Sequence, residues 1–263
     1  MARLGIGKTV GWFFSTSRDM IARRLVQLGM TPNMMTIVGM LLTVLLGICM
    51  AMAVATGQRF FWAFAVVIMY WAGASDMLDG AMARLGKKST AFGAFLDSTC
   101  DRISDFAIYG GLAIGFACQP TPNVTFMLLS MLAFLWAFLI SYTRSRAESI
   151  GIEASVGYWQ RPERSAAVLM SILGANPGAL ITSQAFWPMF TALRRILYTK
   201  ARIEGRQPIL DVRTGSFWVR MRLWDWPRMS IPYDIWTLAM IAWLIWLPVD
   251  CQRWDLLRHW FIK

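Results

Sequence analysis

SDMLDGAMARLGKKSTAFGAFLDSTCDRISD, residues 75–105, is the stretch on which the reading of this chain turns. It holds Asp76, Asp79, Asp97, Asp101 and Asp105, five of the 15 acidic residues, and it joins two apolar runs. Asp76 and Asp79 are three positions apart and Asp97 and Asp101 are four apart, so on helices each pair shares a face. A turn at Gly86, Lys87 and Lys88 makes the two helices antiparallel neighbours. Their acidic ends are then expected to converge at a membrane surface.

The rest of the chain explains why a membrane is invoked. Of the 263 residues 57% are hydrophobic and 16% charged, a balance outside the range of soluble domains. Apolar runs at 34–56, 60–79, 92–118, 125–144, 164–173 and 180–197 are candidate spans. The expected fold is an all-α polytopic membrane protein with a six-helix transmembrane core over residues 31–199. Residues 1–30 interleave Arg3, Lys8, Arg18, Arg23 and Arg24 with Trp12, Phe13, Phe14 and Ile21, the pattern of an interfacial amphipathic helix. They lack the apolar core and small-residue cleavage site of a signal peptide. The phosphate-loop look of Gly5–Thr9 fails, because the required first glycine is Ala2 and no strand precedes it. Residues 200–263 form a basic, Trp-containing interfacial segment followed by an apolar stretch, 235–249. Bounded by Pro232 and Pro248, that stretch is short for a span and is left as a seventh span, a re-entrant hairpin or a surface helix.

The net charge of +11 is distributed by topology. The loops near Gly57, at 119–123 and at 175–178 hold almost no charge, whereas the alternate loops hold Arg84, Lys87, Lys88, Arg144, Arg146, Arg161, Arg164, Arg194, Arg195, Lys200 and Arg202. The basic loops belong in the cytoplasm of a cell (inner) membrane protein, together with the Asp-rich loop. Basic groups between apolar runs argue for anionic lipid rather than nucleic acid. Cys49, Cys100, Cys118 and Cys251 show no CxxC spacing and read as small buried apolar residues. The single histidine, His259, leaves no material for a His-based triad or metal site unless it folds back.

Four carboxylates in a low dielectric cannot all stay ionised alone, so protons or cations must share the site. Oxygen-only ligands favour magnesium, manganese or calcium over zinc. Two metals held among Asp76, Asp79, Asp97 and Asp101 would clamp a phosphoryl group. Gly80, Ala83 and Gly93 leave room for a ligand, and Arg84 offers a fork for phosphate oxygens. Pairing of the acids with Arg84, Arg102 and the two lysines accounts for one or two of them, but not for four at matched spacing with glycines among them.

The same residues resemble the signature of the CDP-alcohol phosphotransferases, D-x2-D-G-x2-A-R-x8-G-x3-D-x3-D. Asp76, Asp79, Gly80, Ala83, Arg84, Gly93, Asp97 and Asp101 fill every position of it. Thr31, Pro32, Asn33 and Thr36 resemble the start of the family's first span. The resemblance implies that Asp76, Asp79 and Asp97 hold two divalent cations, magnesium (Mg2+) or alternatively manganese (Mn2+). It implies that Asp101 also touches the metal site and acts as general base. The donor would be a CDP-linked lipid, with Gly80 admitting the cytidine, Ala83 and Gly93 keeping space, Arg84 and Thr90 on the nucleotide, and Asn33 and Thr36 on the donor. CMP would leave. A homodimer in the bilayer is implied as well.

The text around the signature points to an acceptor. FGAFLDSTCDRISD, SYTRSRAE and RPER resemble the branch of the family that transfers onto inositol phosphate. There a Lys and two Arg hold the acceptor's phosphate, and the matching positions are Arg144, Arg164 and Arg195. Arg144 stands where the branch has Lys, which keeps the charge and changes the geometry. Inositol phosphate is therefore the first acceptor and glycerol 3-phosphate the alternative. A proton- or ion-coupled transporter is the rival class. It calls for mid-span acids and an inverted repeat, and no repeat is visible.

Overall fold

The structure, a computed structural model, describes residues 6–86, 90–206 and 231–257. Among them all regular structure is helical, as expected: α1 (Ile6–Gln27), α2 (Pro32–Thr56), α3 (Arg59–Leu85), α4 (Ala91–Ala117), α5 (Val124–Glu148), α6 (Arg161–Gly174), α7 (Pro177–Ile203) and α8 (Ile231–Trp246). Helices α2, α3 and α5 are long and apolar enough to cross a bilayer. Large apolar side chains stand exposed along the helices, among them Leu41, Trp71, Leu135, Phe190 and Leu238. A water-soluble surface does not carry apolar area on that scale, whereas lipid requires it. The protein is a helical membrane protein. Residues 207–230, most of the basic segment expected to be interfacial, lie outside the described residues, as do Lys87, Lys88 and His259.

The chain clusters into two compact units, Met1–Ile48 with Val67–Ile108, and Cys49–Val66 with Tyr109–Lys263. In the first unit small residues set how closely helices approach. A methyl group on Gly47 would fall 2.1 Å from the Ala107 carbonyl oxygen, so the α2–α4 crossing admits only glycine there. α1 ends at Gly29, whose φ of 84° no other residue adopts cheaply. Ala22 of α1 is fully buried with Met35, Ala81 and Met82, so the N-terminal helix packs on α2 and α3.

Asparagines organise the second unit. Asn123 caps α5 by accepting from Phe126 N at 3.0 Å, and Asn176 caps α7 by accepting from Ala179 N at 3.2 Å. α6 closes with Ala175 in the left-handed region, where Asn176 N reaches Ser171 O at 2.9 Å. α8 packs on α6 so closely that a methyl on Gly174 would lie 2.8 Å from Ile245 Cα. All four cysteines are free thiols; Cys100 is buried as expected, but Cys118 is exposed at the end of α4, where the helix runs out into the 119–123 loop.

Candidate active site

The aspartates lie in the first unit. Asp76 and Asp79 project from α3, Asp97 and Asp101 from α4. Ligand oxygens of Asp76, Asp97 and Asp101 all lie within 4.8 Å of one another, Asp76 exposed and the other two half-buried. Asp79 takes a different partner: its Oδ2 accepts from Thr36 Oγ1 at 2.9 Å, across to α2. The Thr36 oxygen also lies 3.1 Å from the Pro32 carbonyl, one turn back. The carboxylates do not sit at a helix end on the α3 side. α3 runs past Asp79 and Gly80 to Leu85, because Ala81, Met82, Ala83, Arg84 and Leu85 are strong helix formers that outweigh one glycine, and it gives way at Gly86.

The donor set suits a hard divalent cation. Oxygens on opposite sides of a magnesium ion are about 4.2 Å apart, twice the ~2.1 Å bond. Three oxygens within 4.8 Å of each other need only small side-chain rotations to share one ion. Among the described residues no nitrogen or sulfur ligand belongs to the cluster, which disfavours zinc.

The signature's small residues have visible uses. Thr90 caps α4, its Oγ1 accepting from Gly93 N at 2.9 Å. A methyl on Gly93 would lie 3.1 Å from that oxygen and 3.3 Å from Asn33 Oδ1, so Gly93 lets the start of α2 close on the start of α4. Asn33, Thr90 and Gly93 are thus neighbours. The exposed Arg84 folds back over Gly80, with Nη1 3.4 Å from where a methyl on Gly80 would stand. Half-buried Ala83 adjoins them on the same helix. Arg102 donates to the Ser98 carbonyl of its own helix. Asp105 lies half-buried one turn beyond Asp101.

The arginines lie in the second unit. Arg144, near the end of α5, is exposed and pairs with Glu148 at 2.8 Å. Arg164, in the first turn of α6, is 3% exposed, and Arg195 of α7 is 2% exposed. Arg195 donates through Nε to the Val156 carbonyl at 3.0 Å and through Nη1 to the Ile140 carbonyl. Both Arg144 and Arg164 are close enough to act on it electrostatically, so the three predicted arginines converge. The loop that receives Arg195 is itself tied to α7. Trp159 N donates to Thr191 Oγ1 at 3.1 Å, and a methyl on Gly157 would fall 2.4 Å from Thr191 Cγ2.

Two features escaped the sequence. Arg194 is as buried as its neighbour, at 6% exposure, although basic residues at the end of an apolar run read as topology signals. Tyr233 of α8 donates to Glu163 Oε1 at 3.1 Å, a contact 70 positions apart that no spacing announces.

Comparison with known proteins places these residues in a lineage. A family model described as CDP-alcohol phosphatidyltransferase matches residues 29–197. Phosphatidylinositol phosphate synthase of Mycobacteroides abscessus is 34% identical over 206 residues, 77% of this chain and 86% of that protein. The crystal structure of Mycobacterium tuberculosis phosphatidylinositol phosphate synthase with CDP-DAG bound matches with a TM-score of 0.61 at 30% identity, covering 69% of this chain and 92% of that one. The same enzyme in complex with manganese and citrate matches with a TM-score of 0.61 at 30% identity, over 70% of this chain and 88% of that one. The match over residues 29–197 takes in all four aspartates, the glycines beside them and the three converging arginines, and the chain belongs to the CDP-alcohol phosphatidyltransferase family.

Proposed function

We propose that the enzyme moves a phosphatidyl group from CDP-diacylglycerol to a hydroxyl of inositol phosphate, releasing CMP. The observation that carries the acceptor is the near-complete enclosure of two guanidinia, Arg164 and Arg195, in the second unit, with Arg144 near enough to act on Arg195. Buried guanidinia in a membrane protein are costly unless they have work, and a phosphate is what an arginine cluster binds best. The relatives' own activity, phosphatidylinositol phosphate synthesis, supports the same acceptor.

Asp76, Asp79, Asp97 and Asp101 hold two divalent cations in this reading, magnesium or manganese. When bound, the cations neutralise the diphosphate and stabilise the departing phosphate. Asp101 takes the proton from the acceptor hydroxyl. The freed oxygen attacks the lipid-side phosphorus, its bond to that phosphorus forms, and the bond to the CMP oxygen breaks. Thr36 holds the Asp79 carboxylate in one orientation. Arg84 and Thr90 lie on the nucleotide, Asn33 on the donor, and Gly80, Ala83 and Gly93 keep the space clear. Arg144, Arg164 and Arg195 orient the acceptor by its phosphate. α2–α7 serve as a six-helix transmembrane core in the cell membrane, with α1 on its surface and the aspartates on the cytoplasmic side. The working form is a homodimer.

Purified enzyme supplied with CDP-diacylglycerol and radiolabelled acceptors tests this. Product from inositol phosphate is expected. Product from glycerol 3-phosphate alone moves the acceptor to the alternative. Activity with serine or plain inositol, and none with either phosphate, overturns the arginine assignment.

A further inference from the structure

Helix α8 lies beyond residue 197, where the family match ends, yet it is built into the second unit. It runs parallel to α6, start against start and end against end. At the start Tyr233 Oη donates to Glu163 Oε1 at 3.1 Å, and the hydroxyls of Tyr158 and Thr237 meet at 2.9 Å. The Tyr158 and Tyr233 rings lie 5.1 Å apart between those two bonds. At the other end Gly174 meets the backbone of Leu244 and Ile245. Beyond α8 the chain is pinned again. Asn176 Nδ2 donates to Leu247 O at 2.9 Å, Asn123 Nδ2 to Cys251 O at 2.5 Å, and Thr125 Oγ1 to Asp255 Oδ1 at 2.7 Å. Two of those donors are the capping asparagines of α5 and α7, so the segment is locked to helices that carry the arginines.

What α8 touches is as informative as how firmly it is held. Tyr158 belongs to the loop whose Val156 carbonyl accepts from Arg195. Glu163 adjoins Arg164 in the first turn of α6. The first turns of α8 therefore contact both pieces of chain that set these two guanidinia. A cavity of about 250 Å³ opens there, lined by Tyr158, Glu163, Met170, Tyr233, Thr237 and Met240 among others. Burial pushes the Tyr158 phenol up to about 12, so it stays a neutral hydrogen-bonding group at any physiological pH.

We infer that Tyr233 and Thr237 are positioning residues of the acceptor site: Tyr233 holds the Glu163 carboxylate on the α8 side, and Thr237 holds the 151–160 loop under Arg195. This rests on the reading that Arg164 and Arg195 bind the acceptor's phosphate. Glu163 directly precedes Arg164 in the first turn of α6, so the hydrogen bond from Tyr233 fixes the turn from which Arg164 projects. Without it that turn, and Arg164 with it, is less firmly set for the acceptor's phosphate. The hydroxyl of Tyr233 thus acts on the acceptor while the CDP-lipid is handled by residues of the other unit.

Steady-state kinetics on the full-length enzyme separates this from a purely structural role. Tyr233→Phe is expected to raise the acceptor KM about tenfold, the equivalent of one hydrogen bond to a charged group, with the CDP-lipid KM moving less than about twofold. In a Glu163→Gln background the same change should have a clearly smaller effect, because the charged acceptor of the Tyr233 hydroxyl is already gone. Thr237→Val reads the same split if Tyr233→Phe is not recovered folded. An unchanged acceptor KM, or a parallel rise in both KM values, overturns the role of α8. Arg164→Gln tests the reading beneath it. If that variant leaves the acceptor KM unchanged, the phosphate subsite is misassigned. If it raises the acceptor KM and Tyr233→Phe does not, the subsite stands and α8 is only a support.

Discussion

The aspartates and the arginines of this protein are both runs of like charge in a hydrophobic chain, and they are built in opposite ways. Asp76, Asp79, Asp97 and Asp101 come from two successive helices, and their spacing brings them to one side by helix periodicity. Arg144, Arg164 and Arg195 come from three helices. The carboxylates of the cluster are half-buried or exposed. Arg164 and Arg195 are almost wholly enclosed, and Arg195 is gripped by two backbone carbonyls. Under the proposed function the aspartates must take up and release a nucleotide, which favours ligands near solvent. A site that fixes one phosphate can bury its cations, provided that the protein supplies oxygens to meet them. The difference predicts that substitutions among the aspartates act on chemistry, while those among the buried arginines act on chemistry and folding together.

The largest expected effect is on the first side of that comparison. Asp101→Asn should cut turnover by about 10²–10⁴, the usual worth of a general base, and leave the melting temperature and CDP-lipid binding measurable by calorimetry. Retained turnover removes Asp101 from the base role. Loss of lipid binding as well makes it a ligand only.

Arg195→Ala probes the other side. It removes the donor from the Val156 carbonyl and one donor from the Ile140 carbonyl, which keeps Thr143 Oγ1 at 3.3 Å, at a cost of roughly 1–3 kcal/mol. Thermal unfolding in detergent should therefore show a lower midpoint in addition to lost activity. An unchanged midpoint with a raised acceptor KM would erase the contrast between the two regions.

Thr36→Val sharpens the carboxylate side. It keeps the shape of the side chain and removes the hydroxyl that meets Asp79, and manganese affinity should fall about 10–100-fold, the typical worth of such an outer contact. Thr36→Ser should restore it. Manganese binding followed by electron paramagnetic resonance needs no turnover. Equal affinity in all three proteins would show that Thr36 does not set Asp79.

The smallest effect belongs to Thr90→Ala. Loss of the α4 cap should cost about 1 kcal/mol of stability and reduce activity only modestly, since Gly93 N loses its acceptor while Asp97 remains further along the helix. A collapse of CDP-lipid binding at unchanged stability would instead make Thr90 a nucleotide contact first and a cap second.

The helices were largely readable before folding was considered. The apolar run 34–56 becomes Pro32–Thr56, and 125–144 becomes the body of Val124–Glu148. The second apolar run stops at Asp79, whereas α3 continues to Leu85 and gives way at Gly86, where the turn was expected. Helix propensity past Gly80 carries it there. The side-by-side placement of Asp76, Asp97 and Asp101 followed from spacing, whereas the turning of Asp79 toward Thr36 did not. That is a rotamer choice made by a neighbouring helix, and no period in the chain encodes it.

Spacing along the chain was enough to specify a helical membrane protein, the aspartate motif and the chemistry that such a motif serves. Each of these depends on short-range periodicity or on composition, which survive in a string of letters. Packing alone brought Arg195 to Val156, Gly174 to Ile245 and Tyr233 to Glu163. Those pairs lie 39, 71 and 70 positions apart, and they form because buried donors and closely crossing helices must find partners wherever the fold brings the chain back. The contacts of α8 with Glu163 and Tyr158 belong to that second kind of information.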